Sequence, residues 1–96
     1  MARITESEIA DIVVEILEDS PTGEATIAEL VAEVPNRVAL SPEDLGPSPT
    51  RPGEALWEQQ VRNIRSHHAS PGNAIHDGKL VAIDGGFRLP IKAKSA

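Results

Sequence analysis

Twice in the first thirty residues a threonine stands three positions ahead of a glutamate, and an apolar stripe of helical period follows each time. Thr5 with Glu8, and Thr26 with Glu29, are capping-box pairs: each side chain satisfies the other residue's exposed backbone N–H, which fixes where a helix begins. Behind the first pair, Ile9, Ile12, Val13, Ile16 and Leu17 fall on one face, and Glu6, Glu8, Asp11, Glu15 and Glu18 occupy the rest. Ser20-Pro21-Thr22-Gly23 ends that helix with turn chemistry. Behind the second pair come Ile27, Leu30, Val31 and Val34, up to Pro35, which disfavours helical geometry in the residue before it. Ala25 and Thr26 read as a brief extended piece between the two helices. Two stripes so close in sequence each need a partner surface, and the rest of the chain must supply it.

Residues 35–53 read as an irregular connector. Ser41-Pro42-Glu43-Asp44 has the form of one helical turn, with serine at the N-cap, proline at the first helical position and acids beside the positive helix end. Gly46 to Gly53 carries three prolines in eight residues, which excludes regular structure and favours an extended surface run. A third helix is expected from Glu54 to His67, with Leu56, Trp57, Val61 and Ile64 inward. Gln59, Arg62, Asn63 and Ser66 project from its other side, and Arg65, His67 and His68 lie near its end. Ser70-Pro71-Gly72-Asn73 breaks the chain. The period then drops to two: Leu80, Val81 and Ile83, the turn Asp84-Gly85-Gly86, then Phe87, Leu89 and Ile91, the pattern of a β-hairpin. No internal repeat is visible. The expected core includes Ile12, Ile16, Leu30, Trp57, Val61 and Ile64.

Helix, short extended piece, helix, connector, helix and hairpin is the order of an α+β winged helix-turn-helix: three helices make a small core and a C-terminal β-hairpin covers its open side. Ninety-six residues suit one such domain, over residues 1–96, with 92–96 expected as a flexible tail. The absence of cysteine excludes disulfides, zinc fingers, thiol nucleophiles and iron–sulfur clusters. Aromatic residues are only 2%, too few for a base-stacking platform. No apolar run approaches the ~20 residues of a membrane span and the first residues show no signal-peptide core, so a cytoplasmic protein without a membrane partner is expected. The net charge is −6. Residues 1–50 hold two basic and eleven acidic residues, giving −9, and residues 51–96 hold seven basic and four acidic, giving +3. The local field of one face decides binding more than the total does.

Leu40-Ser41-Pro42-Glu43-Asp44-Leu45, Pro47-Ser48, Arg51, Trp57, Val61-Arg62 and Gly86-Phe87-Arg88-Leu89 resemble the N-terminal winged-helix domain of Mrr-type restriction endonucleases. After Arg62 the chain carries Asn63 where that family commonly has an aromatic, and Ser70–Lys79 is more polar than its usual lead into the hairpin. The resemblance implies target recognition without cleavage, since cleavage in that family belongs to a separate nuclease domain. The resemblance therefore leads to the expectation of a recognition module without its own nuclease domain.

The site residues follow from the third helix and the hairpin. Gln59 and Asn63 can pair bidentately with adenine, Arg62 with guanine, and Ser66 with phosphate or base edges. Arg65, Lys79 and Arg88 would meet phosphates, the last two from the hairpin. A solvated helix needs a polar face in any case, so each of these residues also has a plain structural role. Adjacent helical histidines point about 100° apart, so His67 and His68 do not share a metal ion readily. No catalytic constellation can be placed. The leading expectation is a small non-catalytic protein without cofactor or metal that binds double-stranded DNA. It would act as a regulator or as a stand-alone recognition module of a restriction-type system. Few phosphate contacts per domain make a homodimer or a larger protein partner expected. The alternative is a winged-helix protein–protein interaction module that does not bind DNA. A continuous positive face through Arg62, Arg65, Lys79 and Arg88 favours the first, and interruption by Glu54, Glu58 or the first helix favours the second.

Overall fold

Both N-terminal capping boxes form. Thr5 Oγ1 accepts from Glu8 N at 3.1 Å while Glu8 Oε1 accepts from Thr5 N at 2.8 Å, and Thr26 and Glu29 repeat those distances. The computed structural model describes residues 4–49 and 52–90; the expected tail and Ile91 of the hairpin lie outside them. From the caps run α1 (Glu6–Asp19) and α2 (Ile27–Glu33), the latter continued by a 3-10 turn over Val34–Asn36 that accommodates Pro35. Ser41 and Asp44 make a third capping box at the single-turn α3 (Pro42–Leu45). Asp44 is buried and also accepts from Ile4 N at 2.9 Å, so the connector is tied to the start of α1.

The third long helix, α4, spans Leu56–Ser66, shorter at both ends than the apolar spacing predicts. Its start is delayed because Glu54 to Leu56 is engaged in an extended pairing. Ser48 N donates to Glu54 O at 2.9 Å, and Leu56 N donates to Gly46 O at 2.7 Å. The proline-rich connector is therefore extended, as expected, but pinned to the segment that enters α4. At the other end His67 N donates to Asn63 O, after which the chain leaves helical geometry.

The sheet has three antiparallel strands in the order β1-β3-β2, with β1 at Glu24–Thr26, β2 at Val81–Ile83 and β3 at Gly86–Arg88. The short piece between α1 and α2 is thus a strand, and it joins the hairpin. Register places Ala25, Phe87 and Ala82 in one row, with Phe87 fully buried. Asp84-Gly85 makes the two-residue turn, with Gly85 at φ +76°, a conformation that costs a glycine little. Gly86 serves a different need. A Cβ there would lie 2.7 Å from Thr26 Cα and 2.9 Å from Ala25 C, so β1 and β3 approach this closely only without a side chain.

One cluster joins α1, α2, α4 and β3, and it is almost wholly aliphatic: Ile9, Val13, Leu17, Leu30, Val34, Val61, Ile64 and Leu80 are fully buried with Phe87, and Trp57 is 4% exposed. Of the expected core, Ile16, Leu30, Trp57, Val61 and Ile64 are buried, whereas Ile12 is half-buried. At 100° per residue Ile12 sits on the flank of a stripe centred on Ile9 and Val13. Arg37 ties the helices outside the core: its Nη1 donates to Asp19 at 2.7 Å and its Nε to Glu33 at 3.0 Å. The hydrogen bond from Arg37 holds the Glu33 carboxyl below its ordinary range, and the bonds to Asp19 and Glu33 raise the Arg37 guanidinium. Among the described residues no helix is long and apolar enough to cross a membrane.

Candidate nucleic-acid interface

Burial of Trp57, Val61 and Ile64 fixes the rotation of α4 and turns Gln59, Arg62, Asn63 and Ser66 outward. The face exists, but Gln59 and Asn63 are engaged within the fold. Gln59 Oε1 accepts from the buried Ser48 hydroxyl at 2.7 Å, which makes Gln59 a clamp on the connector. Asn63 Nδ2 donates to Gln60 Oε1 at 3.3 Å, and Gln60 reaches Ile4 O, so Asn63 leans toward α1.

Arg62 and the last turn of α4 face the hairpin instead. Arg62, Arg65 and Ser66 gather with Ile27, Gly85 and Gly86 around a cleft of about 260 Å³, where α4 passes the β2–β3 turn and the start of α2. Two guanidinium groups and a hydroxyl line it, and no carboxylate does among the described residues. Arg65 Nη1 donates to Ile83 O at 3.3 Å, which draws that side chain toward the hairpin. Ser66 Oγ donates back to Arg62 O at 3.4 Å. Arg62 Nε donates to Glu54 Oε2 at 2.8 Å, whereas its terminal Nη groups have no partner among the described residues.

Lys79 and Arg88, the residues expected from sequence to meet phosphates from the hairpin, do not line this cleft. Arg88 pairs in register with Val81 at the open end of the hairpin, away from the Asp84-Gly85 turn, and its Nη1 donates to Leu89 O at 3.2 Å. Lys79, just ahead of β2, lies across a groove from Asp11, Glu15 and Glu18 of α1. The four cations whose continuity on one face would favour DNA are divided between the two ends of the hairpin, and Glu54 interrupts the face at Arg62.

The histidines are placed apart. His67 Nδ1 lies 2.7 Å from Glu6 Oε1, linking the end of α4 to the start of α1, and His76 Nδ1 lies 3.0 Å from Asp77 Oδ1. The His76 contact lowers the Asp77 pKa.

Asn73, read from sequence only as part of a chain breaker, is a buried support of the site. Its Nδ2 donates to Ile64 O at 2.9 Å and to Glu6 Oε2 at 3.0 Å, and its Oδ1 accepts from Ile75 N at 2.8 Å and His76 N at 3.2 Å. It closes the loop after α4 against both helices. The available signal was asparagine after Pro-Gly, since its side chain readily bonds backbone N–H groups two and three residues on. Glu54 was legible from sequence as an acid that could interrupt the positive face, but its bond to Arg62 depends on the extended pairing of the segment that enters α4. No family model, curated protein or solved structure matches this chain.

Proposed function

We propose that the chain is a small winged-helix domain that binds duplex DNA through the C-terminal half of α4 and the adjoining β2–β3 turn, without cofactor or catalysis of its own. The observation that carries this reading is the cleft where Arg62, Arg65 and Ser66 meet the hairpin turn, with no acid among the described residues that line it, although Glu54 holds the Nε of Arg62. Guanidinium groups beside a hydroxyl suit phosphate oxygens and the acceptor edge of guanine. Supporting it are the order of elements, the β1-β3-β2 sheet and the resemblance to the recognition domain of Mrr-type endonucleases, which suggests a regulator or a detached recognition module. Gln59 and Asn63, engaged within the fold, contribute less to this surface than Arg62, Arg65 and Ser66; Lys79 and Arg88 lie outside it.

Two guanidinium contacts per domain imply weak binding by one copy, and a salt slope near −2 from about −0.9 per neutralised phosphate. A titration of short duplexes at two salt concentrations tests the reading. Parent protein should show that slope, Arg62→Ala with Arg65→Ala should flatten it toward zero, and Lys79→Ala should leave it nearly unchanged. A folded parent without salt-sensitive affinity for any duplex refutes DNA binding.

The second reading, a protein-interaction module, is favoured by two observations: the Glu54 carboxylate on Arg62, which interrupts the positive face, and the separation of Lys79 and Arg88 from Arg62 and Arg65. It stands if duplex affinity is absent while the fold is intact.

A further inference from the structure

At the open end of the hairpin, α1 faces the segment around Gly78–Lys79 and Leu89–Pro90 across a groove of about 390 Å³. Its floor is apolar, made by Val14, Leu89 and Pro90, all half-buried, and its rim is acidic, made by Asp11, Glu15 and Glu18. Glu15 is only 3.8 Å from Arg37, a cation shared with Asp19 and Glu33, and Asp11 and Glu18 form no ion pair among the described residues. Among the described residues that line the groove, three carboxylates face one cation, Lys79, with Arg37 3.8 Å from Glu15 at the side, so the described lining carries a negative field over an apolar base.

We infer that this groove is a docking surface for an extended segment of a partner protein in which aliphatic and basic residues alternate. The chemistry selects that occupant. Alternate side chains of an extended segment point to opposite sides, so aliphatic residues can rest on Val14, Leu89 and Pro90 while lysines or arginines face the rim. Asp11 and Glu18 lie seven helical residues apart, about 10 Å at 1.5 Å per residue. Basic residues two positions apart project about 7 Å apart, and their long side chains span the difference. Charge complementarity of this kind steers encounter and fixes register, while the apolar floor supplies contact area. The groove and the arginine cleft lie at opposite ends of the hairpin, so a partner and a duplex can occupy the domain together. The inference does not rest on the DNA reading.

A selection of random twelve-residue peptides on the immobilised full chain tests it. The expected result is enrichment of peptides that alternate aliphatic and basic residues, with affinity falling about tenfold, or 1.4 kcal/mol, for Asp11→Lys with Glu18→Lys. Arg62→Ala with Arg65→Ala should leave peptide affinity unchanged, which separates this surface from the proposed DNA cleft. Selected peptides without that pattern, no enrichment, or binding that survives the charge reversal in a folded variant overturns the proposal. The chain's own residues Ile91-Lys92-Ala93-Lys94 carry the same alternation one residue beyond Pro90. Peptides that bind only after removal of residues 91–96 would assign the groove to that segment and overturn the partner proposal.

Discussion

Replacing Asn73 with alanine removes a side chain that is 6% exposed and makes four hydrogen bonds. The consequences differ by partner. The Ile64 carbonyl belongs to a fully buried residue, so losing the Nδ2 donor leaves an acceptor with little access to water. Such an orphan costs about 1–3 kcal/mol. The N–H groups of Ile75 and His76 lie nearer the surface and can be rehydrated, each at a smaller cost. The bond to the Glu6 carboxylate is charge-assisted, and its loss also frees Glu6 from one of two restraints. These contributions share one side chain and do not add simply, so we expect a total near 3 kcal/mol. In a chain of this size that lowers the melting temperature by roughly 15 °C. Thermal unfolding followed by the helix signal gives the number, and amide exchange over residues 64–76 gives the location. Asn73→Asp keeps both acceptor bonds but sets a carboxylate beside Glu6, so at neutral pH it should destabilise at least as much and recover partly on acidification. A loss under about 1 kcal/mol for Asn73→Ala, with unchanged exchange in that loop, refutes the assignment of Asn73 as the pin of α4.

Trp57→Ala should cost about 3–5 kcal/mol and unfold much of the population, read by urea titration; a variant that melts like the parent removes Trp57 from the core. Gly86→Ala should cost about 3 kcal/mol by forcing β1 from β3, seen as faster exchange of the β1 amides, and a neutral effect contradicts the close approach. The Glu33 carboxyl is held below its ordinary value of 4.5 in the folded chain. Its contribution to stability is therefore present above that value and is lost as pH falls through the lowered one. Arg37→Ala should return the Glu33 titration, followed by NMR, toward the ordinary value, and an unmoved titration contradicts the hydrogen-bond origin.

Local signals made the elements legible. Threonine, glutamate and helical spacing define α1 and α2 without help from the rest of the chain, and Ser41-Pro42-Glu43-Asp44 does the same for α3. The turn Asp84-Gly85 announces the hairpin. Pairings between distant segments were not legible: β1 could be seen as extended, but not that Gly86 would bring it against β3. The site shows the same division. The outward face of α4 follows from its period alone. The capture of Gln59 by Ser48, the pairing of Arg62 with Glu54, and the position of Lys79 opposite α1 each depend on how the connector and hairpin fold back. Charge counted by halves of the chain placed most of the cations in one half. It could not place them on one face.

The footprint of a short duplex on the backbone amides of the isotopically labelled chain tests DNA recognition most directly. The account predicts shifts concentrated at Arg62, Arg65 and Ser66 and at Asp84 and Gly85, lost as salt is raised, with Asp11, Glu18 and Lys79 unmoved. A footprint centred on α1 or on Arg88, or no footprint at low salt, contradicts it.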